Sequence, residues 1–113
     1  MNYTYPEAFL LTVALEMPVH LFIYRDMPAR KVAAASLALN VATHPLVWFA
    51  FPAAFMPFGY WTYFVAAESF ALLAETAILR YLLGKGGWER AFLASLVGNG
   101  ASAGAGLLIA FFL

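Results

Sequence analysis

The sequence predicts an all-α integral membrane protein, with four transmembrane helices built as two tandem helical hairpins and both termini outside the cytoplasm. Three observations carry that prediction: an apolar composition, four apolar stretches with short polar connections, and a one-sided distribution of basic residues. Of the 113 residues, 65% are hydrophobic and 11% charged, with a mean hydropathy of +0.81. A soluble domain is about half apolar and about a quarter charged. At about 20 apolar residues per crossing, the chain has room for roughly four crossings and no large soluble domain. The formal net charge is zero, which leaves no electrostatic surplus for nucleic acid. The absence of cysteine excludes disulfides, thiolate metal sites and thiol redox chemistry.

The expected helices run near Pro6 to Tyr24, Val32 to Phe55, Trp61 to Leu83 and Ala91 to Leu113, within a single transmembrane domain covering residues 1–113. The first is read as a retained span, because Met1 to Phe9 holds no basic residue and the apolar run outlasts a signal-peptide core. Arg25, Arg30 and Lys31 lie in or beside the first connection, and Arg80, Lys85 and Arg90 in or beside the third. The N-terminal tail, the Met56 to Tyr60 connection and the C-terminus carry no Lys or Arg. The positive-inside rule therefore places both basic loops in the cytoplasm of a multi-pass cell-membrane protein. Tyr3, Tyr5, Tyr60, Trp61 and Tyr63 then fall at the outer interface, and Tyr24, Tyr81 and Trp88 at the inner one.

An ungapped shift of 59 residues superposes the first hairpin on the second. Glu16 falls on Glu75, Lys31 on Arg90, Ala35-Ser36-Leu37 on Ala94-Ser95-Leu96, Asn40 on Asn99, and Thr43 on Ser102. The matches include the rare polar residues, which points to a parallel internal repeat related by an axis along the membrane normal.

Counted from the cytoplasmic helix ends, Glu16, Asn40, Glu75 and Asn99 all sit about 12 Å deep at ~1.5 Å per residue. His44 and Ser102 lie about a turn further out and His20 a turn nearer the cytoplasm, while Glu68 lies about two turns beyond Glu75. On each helix the polar residues share one face, so the faces should meet inside the bundle. An ionised side chain at a helix centre costs roughly 2.5–3.5 kcal/mol on insertion scales. No Lys or Arg reaches this depth, since Arg80 can snorkel to the interface. Neutrality must come from protonated carboxyls, from His20 or His44, or from a bound cation.

Glu16, Glu75, Asn40, Asn99, Glu68, His44 and His20 are therefore the candidate proton- or cation-binding residues. Glu16, Glu75 and His44 are the candidate ligands for a divalent metal ion. The structural alternative is a neutral Glu that hydrogen-bonds across helices as packing glue. Pro18 and Pro45 free the carbonyls of Ala14 and Val41 at similar depth, as in the broken helices of transporters. Gly98, Ser102 and Gly106 form one small-residue line on the last helix, and Gly100 with Gly104 a second. One suits internal packing, the other a second subunit.

Other chemistries fit less well. His20 and His44 are too far apart in depth for bis-histidine haem. Ser102 near His44 lacks an oxyanion motif for an intramembrane protease, and HExxH and Walker signatures are missing. The length, the four spans and Glu16 in the first helix resemble small multidrug resistance transporters. The Trp, Tyr and Gly pattern of that family's third helix is missing here, and the repeat is parallel, so the resemblance stops at the outline. The leading expectation is a small transporter or channel subunit that binds a proton or metal cation. The rival is a non-transporting accessory subunit of a larger membrane complex, and a metal-dependent membrane enzyme stands third. Lipid and either a second copy or a larger complex are the expected partners.

Overall fold

The computed structural model describes residues 4–112, and among these every regular element is helical. Helix α1 spans Tyr5–Ile23, α2 Ala29–Pro45, α3 Phe51–Phe55, α4 Tyr60–Leu82 and α5 Gly87–Phe112. A π turn, Leu46–Ala50, joins α2 to α3, and a 3-10 turn, Met56–Phe58, extends α3. The chain from Ala29 to Phe58 is thus one rod, and with α1, α4 and α5 it makes four helices long and apolar enough to cross a membrane.

Local chemistry explains the boundaries. Thr4 caps α1 through a capping box: Thr4 Oγ1 accepts from the Glu7 amide at 3.4 Å, and the Glu7 carboxylate accepts from the Thr4 amide at 2.9 Å. That exchange satisfies two amides with no partner inside the helix. At the other end of α1, Arg90 Nε and Nη2 donate to the Ile23 carbonyl at 3.0 and 2.7 Å. Pro52 has no amide proton, and its ring would crowd the Trp48 carbonyl in a regular helix. The preceding turn widens, and the Phe51 amide bonds to Leu46 instead. Gly59, at φ +106°, then reverses the chain into α4, a backbone region in which L side chains are strained.

Three expected boundaries shift. The second helix begins three residues before Val32 and runs to Phe58, because the π and 3-10 turns carry it past Pro45, Pro52 and Pro57. The fourth begins at Gly87 rather than Ala91. Its first turn includes Glu89, whose charge complements the helix N-terminus, and Gly84, Gly86 and Gly87 make the reversal at positive φ. Tyr3 and Leu113 lie outside the described residues.

Helix α1 packs on α2 and α5, and α4 packs on α5, α2 and α3. Ala35, Ala67, Ala71, Ala91 and Ala94 are buried at these contacts, where small side chains let backbones approach. Large apolar residues such as Phe22, Val41, Leu73 and Phe92 point outward. One end of the bundle is closed by an apolar core that includes Tyr24, Val32, Leu39, Leu79 and Leu83. A clasp lies at the same end, where Asp26 pairs with both Arg90 and Lys85 and the Arg90 guanidinium sits 4.8 Å from the Tyr24 ring centre. The first and third connections therefore touch. The opposite end carries an aromatic cluster of Tyr60, Trp61, Phe64 and Phe111.

Candidate functional site

Glu16 and His20 stand one turn apart on α1, so both point at the same neighbours. Across from them, α4 presents Glu75. Ligand atoms of Glu16, His20 and Glu75 all lie within 4.8 Å of one another, the one such acidic or imidazole trio among the described residues. The burial is near complete: Glu16 is 1% exposed, Glu75 2% and His20 0%.

Hydroxyls and amides from facing helices surround the trio. Ser102 Oγ on α5 donates to Glu16 Oε2 at 2.8 Å. Thr43 Oγ1 on α2 lies 3.4 Å from Glu75 Oε2 and donates to the Leu39 carbonyl at 2.8 Å. Asn99 Nδ2 donates to Glu75 Oε1 at 3.1 Å, and Asn40 lies beside Glu16. Each asparagine also donates to the carbonyl four residues back, Asn40 to Ser36 and Asn99 to Ser95, both at 2.9 Å. Those bonds fix the amides on their own helices. Ser36 Oγ lies 2.8 Å from His20 Nδ1, and Ser95 Oγ donates to the Leu72 carbonyl at 2.9 Å, which ties α5 to α4.

Two polar atoms of the trio, Glu16 Oε1 and His20 Nε2, are buried with no hydrogen-bond partner. Gly98 explains how α5 comes so close to them. A Cβ there would lie 3.0 Å from His20 Nε2 and 3.6 Å from Glu16 Cγ.

A cavity of about 210 Å³ reaches this cluster, with Glu16, Asn40, Glu75 and Asn99 in its wall. It continues past Thr43, Ser102 and Glu68 to Tyr60 and Ala110 at the aromatic end. His20 is not in the cavity wall but lies beyond it, toward the clasp, where the apolar core closes the bundle. The cavity is thus a well that runs from a carboxylate floor toward the aromatic end.

The structure brings together Glu16, Glu75, Asn40, Asn99 and His20. Glu68 stands higher in the wall. His44 also lines the well but is held among aromatic rings, with centroids 5.2 Å from Tyr5, 5.6 Å from Phe9 and 6.1 Å from Trp48. The imidazole grouped with the two carboxylates is accordingly that of His20 and not that of His44. Its place follows from the i, i+4 step from Glu16, whereas His44 is turned toward Tyr5 and Phe9 of α1. Of the small-residue lines, Gly98 and Ser102 meet α1 directly. Added Cβ atoms at Gly100, Gly104 and Gly106 would meet nothing within 4 Å. Gly106 therefore borders the well rather than a helix contact.

Sequence reasoning missed Thr43 and Ser36 as site residues, and assigned Ser102 to helix packing after setting aside a protease pairing with His44. The i, i+4 rows through Ser36 and Asn40, and the match of Thr43 with Ser102, were the signals that could have found them. No known protein family, curated protein or solved structure matches this chain.

Proposed function

We propose that the chain is a small membrane transporter or channel subunit that binds a proton or a metal cation at Glu16 and Glu75. The observation that carries this reading is the pair of buried carboxylates facing each other at the floor of a well, with no Lys or Arg among their hydrogen-bond partners. Two like charges at that spacing in a low-dielectric interior repel strongly. A shared proton or a bound cation removes the repulsion. Thr43 supports the same conclusion, because its single hydroxyl proton is committed to Leu39 at the shorter distance. A proton on Glu75 would complete the contact at 3.4 Å. Asn40 and Asn99 orient the carboxylates, and Glu68 and His44 extend the path along the well.

The site also supports the tandem-hairpin repeat. Its contacts come in pairs: Ser102 with Glu16 and Thr43 with Glu75, then Asn40 with Ser36 and Asn99 with Ser95. Each member of a pair maps on the other by the shift of 59 residues, as a twofold along the membrane normal requires. With the basic clasp in the cytoplasm, both termini lie outside and the well opens outward. The unpacked face at Gly100 and Gly104 suits a second copy or a larger complex.

Glu16→Gln, Glu75→Gln and the double variant test the pairing, with binding measured over a metal and pH screen in detergent. A shared site loses most binding with either single change, and the double adds little. Additive losses would mean independent sites. If the unmutated protein binds no cation and takes up no proton at any pH, while both Gln variants keep or gain stability, the polar layer only sets helix register and the accessory-subunit reading replaces this one.

A further inference from the structure

Under the repeat, every polar residue of the floor has a counterpart except one. The counterpart of His20 is Leu79, which is buried in the apolar core. An imidazole at that depth needs a reason of its own, because a buried polar atom without a partner costs about 1–3 kcal/mol. Ser36 satisfies Nδ1, yet Nε2 is unpartnered, as is Glu16 Oε1 beside it. When Nδ1 carries the proton and donates to Ser36, Nε2 keeps a free lone pair, on a ring that lies within ligand range of both carboxylates.

We propose that the cation bound here is a divalent first-row transition-metal ion, held by Glu16, Glu75 and Nε2 of His20, with Ser36 positioning the imidazole. The inference rests on the cation reading above and names the class of ion. Charge supports it: two carboxylates and a neutral imidazole balance a dication, so the loaded site is neutral in a layer without Lys or Arg. Donor chemistry supports it as well, since hard ions such as Mg²⁺ and Ca²⁺ take oxygen ligands, whereas imidazole suits Zn, Ni, Fe and Cu. Geometry is compatible. Ligand bonds of about 2.0–2.2 Å at tetrahedral angles place donors about 3.3–3.6 Å apart, so three donors that lie within 4.8 Å of one another need only a modest inward shift to close on an ion. Ser36 plays the part of the hydrogen-bonding neighbour that fixes the tautomer of a metal-binding histidine. The ion enters from the well and stops between Glu16, Glu75 and His20, beyond which the core is apolar.

The test uses the whole chain in detergent, freed of metal by a chelator and titrated with Co²⁺ as a visible probe. Zn²⁺ and Mg²⁺ serve as competitors. One Co²⁺ per site should bind with d–d absorption bands, be displaced by Zn²⁺ and resist millimolar Mg²⁺. His20→Gln should weaken binding tenfold or more. Ser36→Ala should weaken it about 10- to 100-fold, as loss of such a neighbour does elsewhere, and serves if the histidine variant fails to fold. Pulsed EPR of the Cu²⁺-loaded protein should show imidazole nitrogen coupling that survives in His44→Gln. Co²⁺ binding that needs Glu16 but is unchanged in both His20→Gln and Ser36→Ala, or a Cu²⁺ signal without nitrogen coupling, would overturn the inference and leave the cation site standing. Proton uptake shared by Glu16 and Glu75 without any metal binding would overturn it in favour of a proton. Absence of both would remove this inference and the reading beneath it.

Discussion

Gly98→Ala and Gly106→Ala make the same chemical change two turns apart on α5, and the structure assigns them different outcomes. Replacing a helical glycine by alanine gains about 0.8–1.0 kcal/mol of helix propensity, a term common to both variants. At Gly106 the new methyl meets nothing within 4 Å, so the gain stands. At Gly98 it falls 3.0 Å from His20 Nε2 and 3.6 Å from Glu16 Cγ. His20 cannot retreat easily, because it is fully buried and held by Ser36 at 2.8 Å. Overpacking of that kind costs typically about 1–3 kcal/mol. Because the propensity term cancels in the comparison, Gly98→Ala should be less stable than Gly106→Ala by about the overpacking cost. Reversible unfolding in mixed micelles, followed by circular dichroism, measures the difference. Equal stabilities, or a more stable Gly98→Ala, would show that α5 does not press on His20, and the close packing at the floor would be refuted.

Three further predictions concern the ends and the outer face. Asp26 is held well below the usual carboxylate range by its hydrogen bonds from Arg90 and then Lys85. A lowered native pKa adds stability above the unfolded pKa of about 3.9, and that stability is lost as pH falls through the native value. The melting temperature of the wild type should therefore exceed that of Asp26→Asn from pH 7 to 5, and the gap should narrow only in acid below about pH 4; a gap independent of pH would discount the clasp. A reporter fused after Leu113 should be active only when exported, and cytoplasmic activity would invert the topology. Cross-linking in native membranes should trap a homodimer or larger complex, and Gly100→Leu should reduce it; a monomer that retains cation binding and transport would remove the oligomer.

Composition and spacing alone determined much of this protein. Lipid offers the backbone no hydrogen bonds, which leaves helices or closed barrels; continuous apolar stretches of about 20 residues select helices, and span number follows from length. The depth of Glu16, Asn40, Glu75 and Asn99 could be counted along the chain because helical rise is constant. Sequence could also mark the polar face of each helix. It could not say how far those faces rotate toward one another, since rotation is set by which small residues let two helices approach. That choice brings Gly98 against His20, turns His44 into a nest of aromatic rings, and joins Thr43 to Glu75 and Ser102 to Glu16. The contacts of Arg90 with Ile23 and Asp26 likewise join segments far apart in the sequence. Periodicity within a helix is a local property and legible in one dimension. The polar floor of the well is assembled from four helices, and only their packing decided which imidazole lies beside the two carboxylates.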